Sequence, residues 1–508
     1  MTKPFKRLLL LLFAFMILFL IWLFLDHGNH GPPTVSRQTT YETDEAFVME
    51  NGYIDYYGVL NKHFFDPVDP KDNGGIKVVE AIGPKREVDF DIYWRIITRG
   101  KMEQPKGPYY RPFDAFFDQE KDPDAFSSET LSQLFTRPWN AEEFPEGKAW
   151  LEANQRALEL SQEAAEAKAF SLPLYSANPE SDSLIAALLV YSQEVRTLAR
   201  LLIAQAMYEL GRGELEKCQK CILSTRSLAS QIAGNGTLVE QLVGVALLSM
   251  AQEAEVQMLN SNKLTMEQAE EYQNKFYGIK AFPGIQKTID KSERLMGLSA
   301  AQSIHQHGTS GLGENSSIPI GPFDIDVVMK ELNQEYDQLA ERLKIEDYPS
   351  RSKKLNEWEG ELDRMAEDTT VTNWVLSMPT RKGRSRMASR MMLGLLMPAI
   401  IPVDRAHVRG VVMTQLTPIA MELEKRYIAD GKFPDSLDVI ANEMSKRDAN
   451  WNIDPFTGKS FFYKKEKNGY RLYSLGANGV DNKGEFSNGI DQDDTGIHRQ
   501  LEKSKSEK

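Results

Sequence analysis

The chain has 508 residues, 41% of them hydrophobic, and carries 73 acidic against 60 basic side chains for a net charge of −13. Such a length and apolar content suit two or three folding units and exclude a disordered chain, while the acidic balance argues against a general polyanion binder, so nucleic acid is not an expected partner. Only two cysteines occur, Cys218 and Cys221, which excludes a disulfide framework.

Residues 1–7 hold Lys3, Lys6 and Arg7, and residues 8–25 form the unbroken apolar run LLLLLFAFMILFLIWLFL, followed by Asp26. As a helix this run spans about 27 Å, close to a bilayer core. The charge asymmetry orients the first residues toward the cytoplasm and the bulk of the chain outward. The run is longer than the apolar part of a usual signal peptide, and no small-x-small site follows it, so an uncleaved single-pass anchor in the cytoplasmic membrane is expected.

Residues 26–139 are rich in Gly, Pro and aromatics, as in NGYIDYYGVLNKHFFDPVDPKDNGG, and read as short helices joined by loops. The segment GIKVVEAIG after Asn73 offers an apolar stripe ending at a glycine, the pattern of a capped helix. The aromatics are expected to pack on a neighbouring core; a carbohydrate platform is the alternative.

Across residues 140–303 long amphipathic helices take over. Leu215, Cys218, Cys221, Ile222, Thr225, Leu228, Ala229 and Ile232 recur three or four apart and trace one buried face. Helices are also expected around Leu184 to Leu210 and Leu238 to Met258, the latter preceded by a GNG break. The stretch ARLLIAQAMYELGRGELEKCQKCILSTRSLA resembles one helix, Gly-containing turn, helix unit of tetratricopeptide-like repeats. It lacks the family's aromatic and proline signature positions, so an α-helical array or bundle is expected rather than a counted solenoid. Cys218 and Cys221 form a C-x-x-C inside this helical stripe, not at a helix N-terminus after a strand, and read as core cysteines rather than a redox pair or half a zinc site. Residues 304–322, with His305 and His307, read as a Gly/Ser-rich linker.

A helical segment with a heavily charged surface follows over residues 323–403. Within it a basic cluster, Arg381, Lys382, Arg384, Arg386 and Arg390, leads into the apolar run Met391 to Val403, too short to span a bilayer and expected to form a buried helix, with contact to an anionic membrane face as the alternative. No nucleophile elbow, phosphate-binding loop, H-E-x-x-H or dinucleotide fingerprint occurs.

Residues 404–497 carry the most specific pattern. A helix from about Val408 to Ala429 stops at Gly431, and GKFPDSLDVI and DPFTGK lead into an aromatic hairpin. A loop over Glu466 to Gly469 sets Lys465 against Tyr470 and Tyr463 against Leu472, gathering the apolar side chains on one side. A two-residue Asn-Gly turn would scatter them. The stretch YSLGANGVDNKGEFSNGIDQDDTG then supplies Asp, Asn and Gly, the residue types of an oxygen-rich loop for calcium. Residues 498–508 read as a disordered tail.

The order Tyr427, Gly431, Phe433, Pro434, Leu437, Asp454, Pro455, Gly458, Tyr463, Tyr470, Leu472, Ser474, Gly476, Asn478 and Gly479 resembles the C-terminal region of the major pseudopilins of type II secretion systems. The resemblance implies a calcium ion held by the Leu475 carbonyl and the side chains of Asn478, Asp481, Asp491 and Asp493, with Asn478 standing where the family usually has Asp. The chain departs from the family at its N-terminus: the run 8–25 lacks the preceding Gly and the acidic residue within it, which argues against fibre assembly. The expected architecture is therefore mainly α: an N-terminal transmembrane helix, an α-helical array or bundle, and a small C-terminal α+β domain with an antiparallel hairpin. The expected role is a calcium-stapled scaffold or interaction protein on the periplasmic side of a bacterial envelope with protein partners there; an extracytoplasmic hydrolase is the alternative.

Overall fold

The computed structural model describes Met16 and residues 31–116, 128–176, 184, 189–308, 323–367, 380–397, 400–486 and 493–501. Apart from Met16, which is helical, the anchor expected over residues 8–25 lies outside the described residues. The molecule is mainly helical and carries one small antiparallel sheet near its C-terminus.

The helices of two turns or more are α1 (Gly74–Ile82), α2 (Phe90–Thr98), α3 (Ser128–Thr136), α4 (Pro145–Ala153), α5 (Gln155–Glu166), α6 (Val190–Arg212), α7 (Leu215–Ala233), α8 (Leu238–Asn260), α9 (Met266–Tyr277), α10 (Arg294–His307), α11 (Ile325–Leu343), α12 (Tyr348–Glu367), α13 (Arg381–Leu396) and α14 (Ile400–Asp430). The strands are β1 (Phe462–Glu466), β2 (Gly469–Ser474) and β3 (Thr495–Gln500), in the spatial order β1-β2-β3.

Local chemistry explains where these elements start. The Asn73 side chain accepts from the Gly75 amide to cap α1, and Gly83 follows its last turn, as the stripe in GIKVVEAIG predicts. Thr237 and Glu240 form a reciprocal capping box at the start of α8, so two backbone donors are satisfied at the end of the GNG break. All eight residues of the stripe from Leu215 to Ile232 are buried.

Two apolar cores result. One runs from α1 through α5 to α8 and on through α14 to Tyr470, Leu472 and Ile497 in the sheet. The other joins Ile54 to Leu60 with α10, α11, α12, α13 and the first turn of α14. Tyr56, Tyr57, Phe65 and Phe113 are buried, which places these aromatics of the first region in packing and not on a sugar-binding surface.

Helix α8 is, by length and composition, the one described helix apolar enough to cross a membrane. It packs against α6, α7 and α14, and its polar residues Glu240, Gln241, Gln252 and Glu255 are buried within the protein.

The hairpin register is Tyr463 opposite Leu472 and Lys465 opposite Tyr470, as the apolar pattern requires. Gly469, at φ 149°, faces β3 so closely that a Cβ there would meet the Arg499 carbonyl at 1.8 Å, so the hairpin needs glycine at this position.

Three sequence readings are corrected. His498, Arg499 and Gln500, expected within a disordered tail from residue 498, belong to β3, paired along Gly469 to Ser474; residues 502–508 lie outside the described residues. Arg499 looks like a surface charge in sequence but is buried, its Nε 2.6 Å from Glu424 Oε1. The linker expected from residue 304 is helical through His307, whose α10 turn also carries His305, 2.9 Å from the Tyr53 hydroxyl; residues 309–322 lie outside the described residues. The C-terminal region expected to stand as its own domain from residue 404 shares the first core with α6 to α8. Gln252 Nε2 donates to the Gly496 carbonyl at 2.7 Å, and the Gln500 amide donates to Asn260 Oδ1 at 2.8 Å. In the apolar run after the basic cluster, Met392, Leu393, Met397, Ile400, Ile401 and Val403 are buried, which is the buried-helix reading.

Candidate metal centre

The C-terminal unit is set on α14 by an aromatic stack. Tyr427 stacks on Phe433 at 4.6 Å, Phe433 meets the edge of Tyr470 at 4.9 Å, and Tyr463 lies 5.7 Å from Tyr470. The Tyr463 hydroxyl donates to the Pro434 carbonyl at 2.7 Å. Asp454, in DPFTG, is buried and receives the Phe456 amide at 2.9 Å, the Thr457 hydroxyl at 3.0 Å and the Ser474 hydroxyl at 2.8 Å. The turn and the end of β2 are thereby locked together.

The connection from β2 to β3 is described through Phe486 and again from Asp493. Asp493 Oδ2 accepts the amides of Ala477 at 2.8 Å and Asn478 at 3.1 Å. Asp494 Oδ2 accepts the Gly484 amide at 2.9 Å. Asp481 Oδ1 takes the Lys483 amide at 2.7 Å and the Tyr473 hydroxyl at 3.0 Å. Gly476 has φ 66°, and a Cβ there would sit 2.4 Å from the Asp493 carbonyl and 2.5 Å from Asp493 Oδ1; only glycine lets the loop close on that carboxylate.

Each of the two adjacent aspartates thus anchors the loop with one oxygen and keeps the other apart. Asp493 Oδ1, Asp494 Oδ1 and the Asn482 side-chain oxygen are all buried without a hydrogen-bond partner. Orphaned buried oxygens are costly, about 1–3 kcal/mol each and more for a charged group. Burial pushes the Asp494 carboxyl above its ordinary range, against the pull of the Gly484 amide, and the charges of Asp481 and Asp493 push the same way. Carboxylate and amide oxygens are the donor types that a hard cation such as calcium takes. Among the described residues no three His, Cys, Asp or Glu converge to hold a metal, so a cation here would rely on carbonyl and amide oxygens as well as carboxylates.

Of the residues expected as ligands, Asp493 is placed in this loop with a free oxygen. Leu475 is half-buried beside it. Asn478 is exposed, its side-chain oxygen occupied by the Val480 amide at 2.7 Å. Asp481 is tied by one oxygen as described, and Asp491 lies outside the described residues. Sequence reasoning passed over Asp494, which is 1% exposed, and Asn482. The signal for Asp494 was its place directly before the alternating Thr495, Ile497 and Arg499 of β3.

Two further groups of buried ionisable side chains lie within the helical body. Burial raises the thiols of Cys218 and Cys221, the latter to about 12, which keeps both protonated and poorly nucleophilic. Arg351 pairs with the buried Asp404 at 3.1 Å beside His407, which burial holds down at about 4, the Arg351 charge acting in the same direction. The cleft there is about 170 Å³, smaller than usual ligand sites, and the Asp404 carboxylate is committed to Arg351.

Compared with known proteins, the chain matches no family model, no curated protein and no solved structure.

Proposed function

We propose that this chain is a membrane-anchored, extracytoplasmic scaffold or interaction protein of a bacterial envelope, in which a pseudopilin-like C-terminal unit is stapled by calcium onto the helical body. The observation that carries the calcium part is the trio of buried, unpartnered oxygens on Asp493, Asp494 and Asn482. Bound calcium would neutralise the adjacent carboxylates and tie the β2 to β3 connection to itself, a structural rather than chemical task. The apolar run 8–25 supports the anchor, and the secretion-related setting rests on the motif order from Tyr427 to Gly479. Long helices packed side by side support the scaffold reading.

Because the sheet shares its core with α6 to α8, the test uses the full-length protein. Thermal unfolding is followed in EGTA, Mg²⁺ and Ca²⁺, with Asp494→Asn and Asp493→Asn alongside. Calcium at a hundredfold excess over its dissociation constant should stabilise by about 2.7 kcal/mol, and both variants should lose most of that gain. If millimolar Ca²⁺ produced neither heat in calorimetry nor a rise in melting temperature, the staple would be abandoned. Membrane fractionation with and without residues 8–25 tests the anchor, and cross-linking in envelope preparations tests for protein partners.

A further inference from the structure

The second core is strapped to the N-terminal side of the chain. Along the first half of α11, Asp326 accepts the Thr34 amide at 2.8 Å and the Thr34 hydroxyl at 2.7 Å, and Asn333 Nδ2 donates to the Gln38 and Thr39 carbonyls at 3.1 and 2.7 Å. Asp324, two residues before Asp326, pairs with Arg381 at 3.2 Å, and its amide donates to the Ser385 hydroxyl at 2.8 Å. The start of α13 is thereby joined to the point where the strap begins. With the apolar run 8–25 in the bilayer, only residues 26–33 separate it from Thr34. That length of chain reaches at most about 30 Å, whereas a chain of this size folds to a body about 60 Å across. The end of the second core that carries Thr34, Asp326 and the first turn of α13 is thus held toward the membrane.

At this end the unpaired charges are basic. Lys382 and Arg386, one turn apart on α13, are exposed and have no ion pair among the described residues, and Arg37 is exposed over the Tyr41 ring at 3.4 Å. The acids beside them, Asp324 and Asp326, are committed to Arg381 and to Thr34. Lys330 and Glu331 offset one another on α11, and the surplus stays positive even with Glu361 and Asp363 of α12 counted against Arg364. We propose that, given the anchor at residues 8–25 on which this reading rests, the face bearing Lys382, Arg386 and Arg37 docks on anionic phospholipid headgroups around the chain's own anchor. A small surplus suffices, because the tether makes docking intramolecular and each basic side chain brought to an anionic surface is worth about fivefold. The contact is with headgroups: Met392 and Leu393, which follow the basic cluster, are buried in the second core, so α13 offers the bilayer charge rather than an apolar face.

The experiment incorporates full-length protein in nanodiscs of phosphatidylcholine alone or of an equal mixture with phosphatidylglycerol, in EGTA. Surface lysines are acetylated with an N-hydroxysuccinimide ester and read by mass spectrometry. Lys382 should react at least about fivefold more slowly in the anionic discs than in the neutral ones, and about 1 M salt should remove the difference. Lys353, exposed on the first turns of α12 beside the end of α11 far from Thr34, should react alike in both. Arg386→Glu should bring the Lys382 ratio close to one while leaving the melting temperature unchanged. Equal reaction of Lys382 in the two lipids, protection shared by Lys353, or protection untouched by Arg386→Glu would each overturn the docking face while the anchor stands. Protein that stays outside the discs would overturn the anchor and the docking face together.

Discussion

Glu255 is the junction at which four helices of the first core meet, and replacing it by Gln is a direct test of how that core is held. Its carboxylate receives Arg226 Nε at 2.5 Å and Nη2 at 2.6 Å from α7, the Thr417 hydroxyl at 2.8 Å from α14, and the Tyr272 hydroxyl from α9. Glu255 and Arg226 are 1% and 2% exposed. In Glu255→Gln one oxygen becomes a donor, which faces donors, and Arg226 is left charged in a dry interior. Breaking a buried pair from one side typically costs about 3–5 kcal/mol, a large part of the ~5–15 kcal/mol that keeps a domain folded. Urea unfolding followed by tryptophan fluorescence should show the midpoint falling accordingly. Glu255→Leu combined with Arg226→Leu should recover part of the loss, since no lone charge remains, but not all of it, because the Tyr272 hydroxyl loses its acceptor at about 1–3 kcal/mol, whereas the Thr417 hydroxyl keeps the Met413 carbonyl at 3.3 Å. A Glu255→Gln cost below about 1 kcal/mol, or a double-mutant cycle without coupling between positions 226 and 255, would refute this reading of the junction.

Glu293 offers a pH signature. Burial pushes its carboxyl from 4.5 to about 7, against the Leu238 amide that lowers it. The folded chain therefore holds this proton more tightly than the unfolded chain: the contribution is fully present below the unfolded value and is lost as pH rises through about 7. The span corresponds to about 3 kcal/mol, so wild type should lose that much relative to Glu293→Gln between pH 4.5 and 8 in urea titrations, and a constant difference between the two would count against it. Cys218 and Cys221 should resist a thiol reagent at pH 8 in the native protein and react together only on unfolding; rapid native labelling would contradict their core placement.

Much of the helical body was legible because a helix facing a core repeats apolar residues at 3.6. That rule located α1, α7 and α8 to within a few residues, and the alternation around Tyr463, Tyr470 and Leu472 chose the hairpin register, since a slipped register would turn apolar side chains to water. The same rules failed where a polar residue does the packing. Arg499 and His498 read as tail because nothing local announces Glu424, which lies on α14. His305 and His307 read as linker because the Gly/Ser composition of the following residues spread into the last turn of α10. Of the candidate site, the sequence showed the stretch and Asp493, but not that Asp494 and Asn482 turn inward.

By itself the sequence determined the helical character of the chain, the buried face of α7, the hairpin and its register, and the absence of familiar catalytic motifs, all of which follow from local periodicity and residue chemistry. Only the tertiary structure decided that the C-terminal sheet shares a core with α6 to α8, that Arg226, Glu255, Tyr272 and Thr417 meet, and that particular loop oxygens are buried unpaired. Those facts depend on contacts between residues far apart in the chain, where solvation and pairing are set by neighbours that no local pattern names.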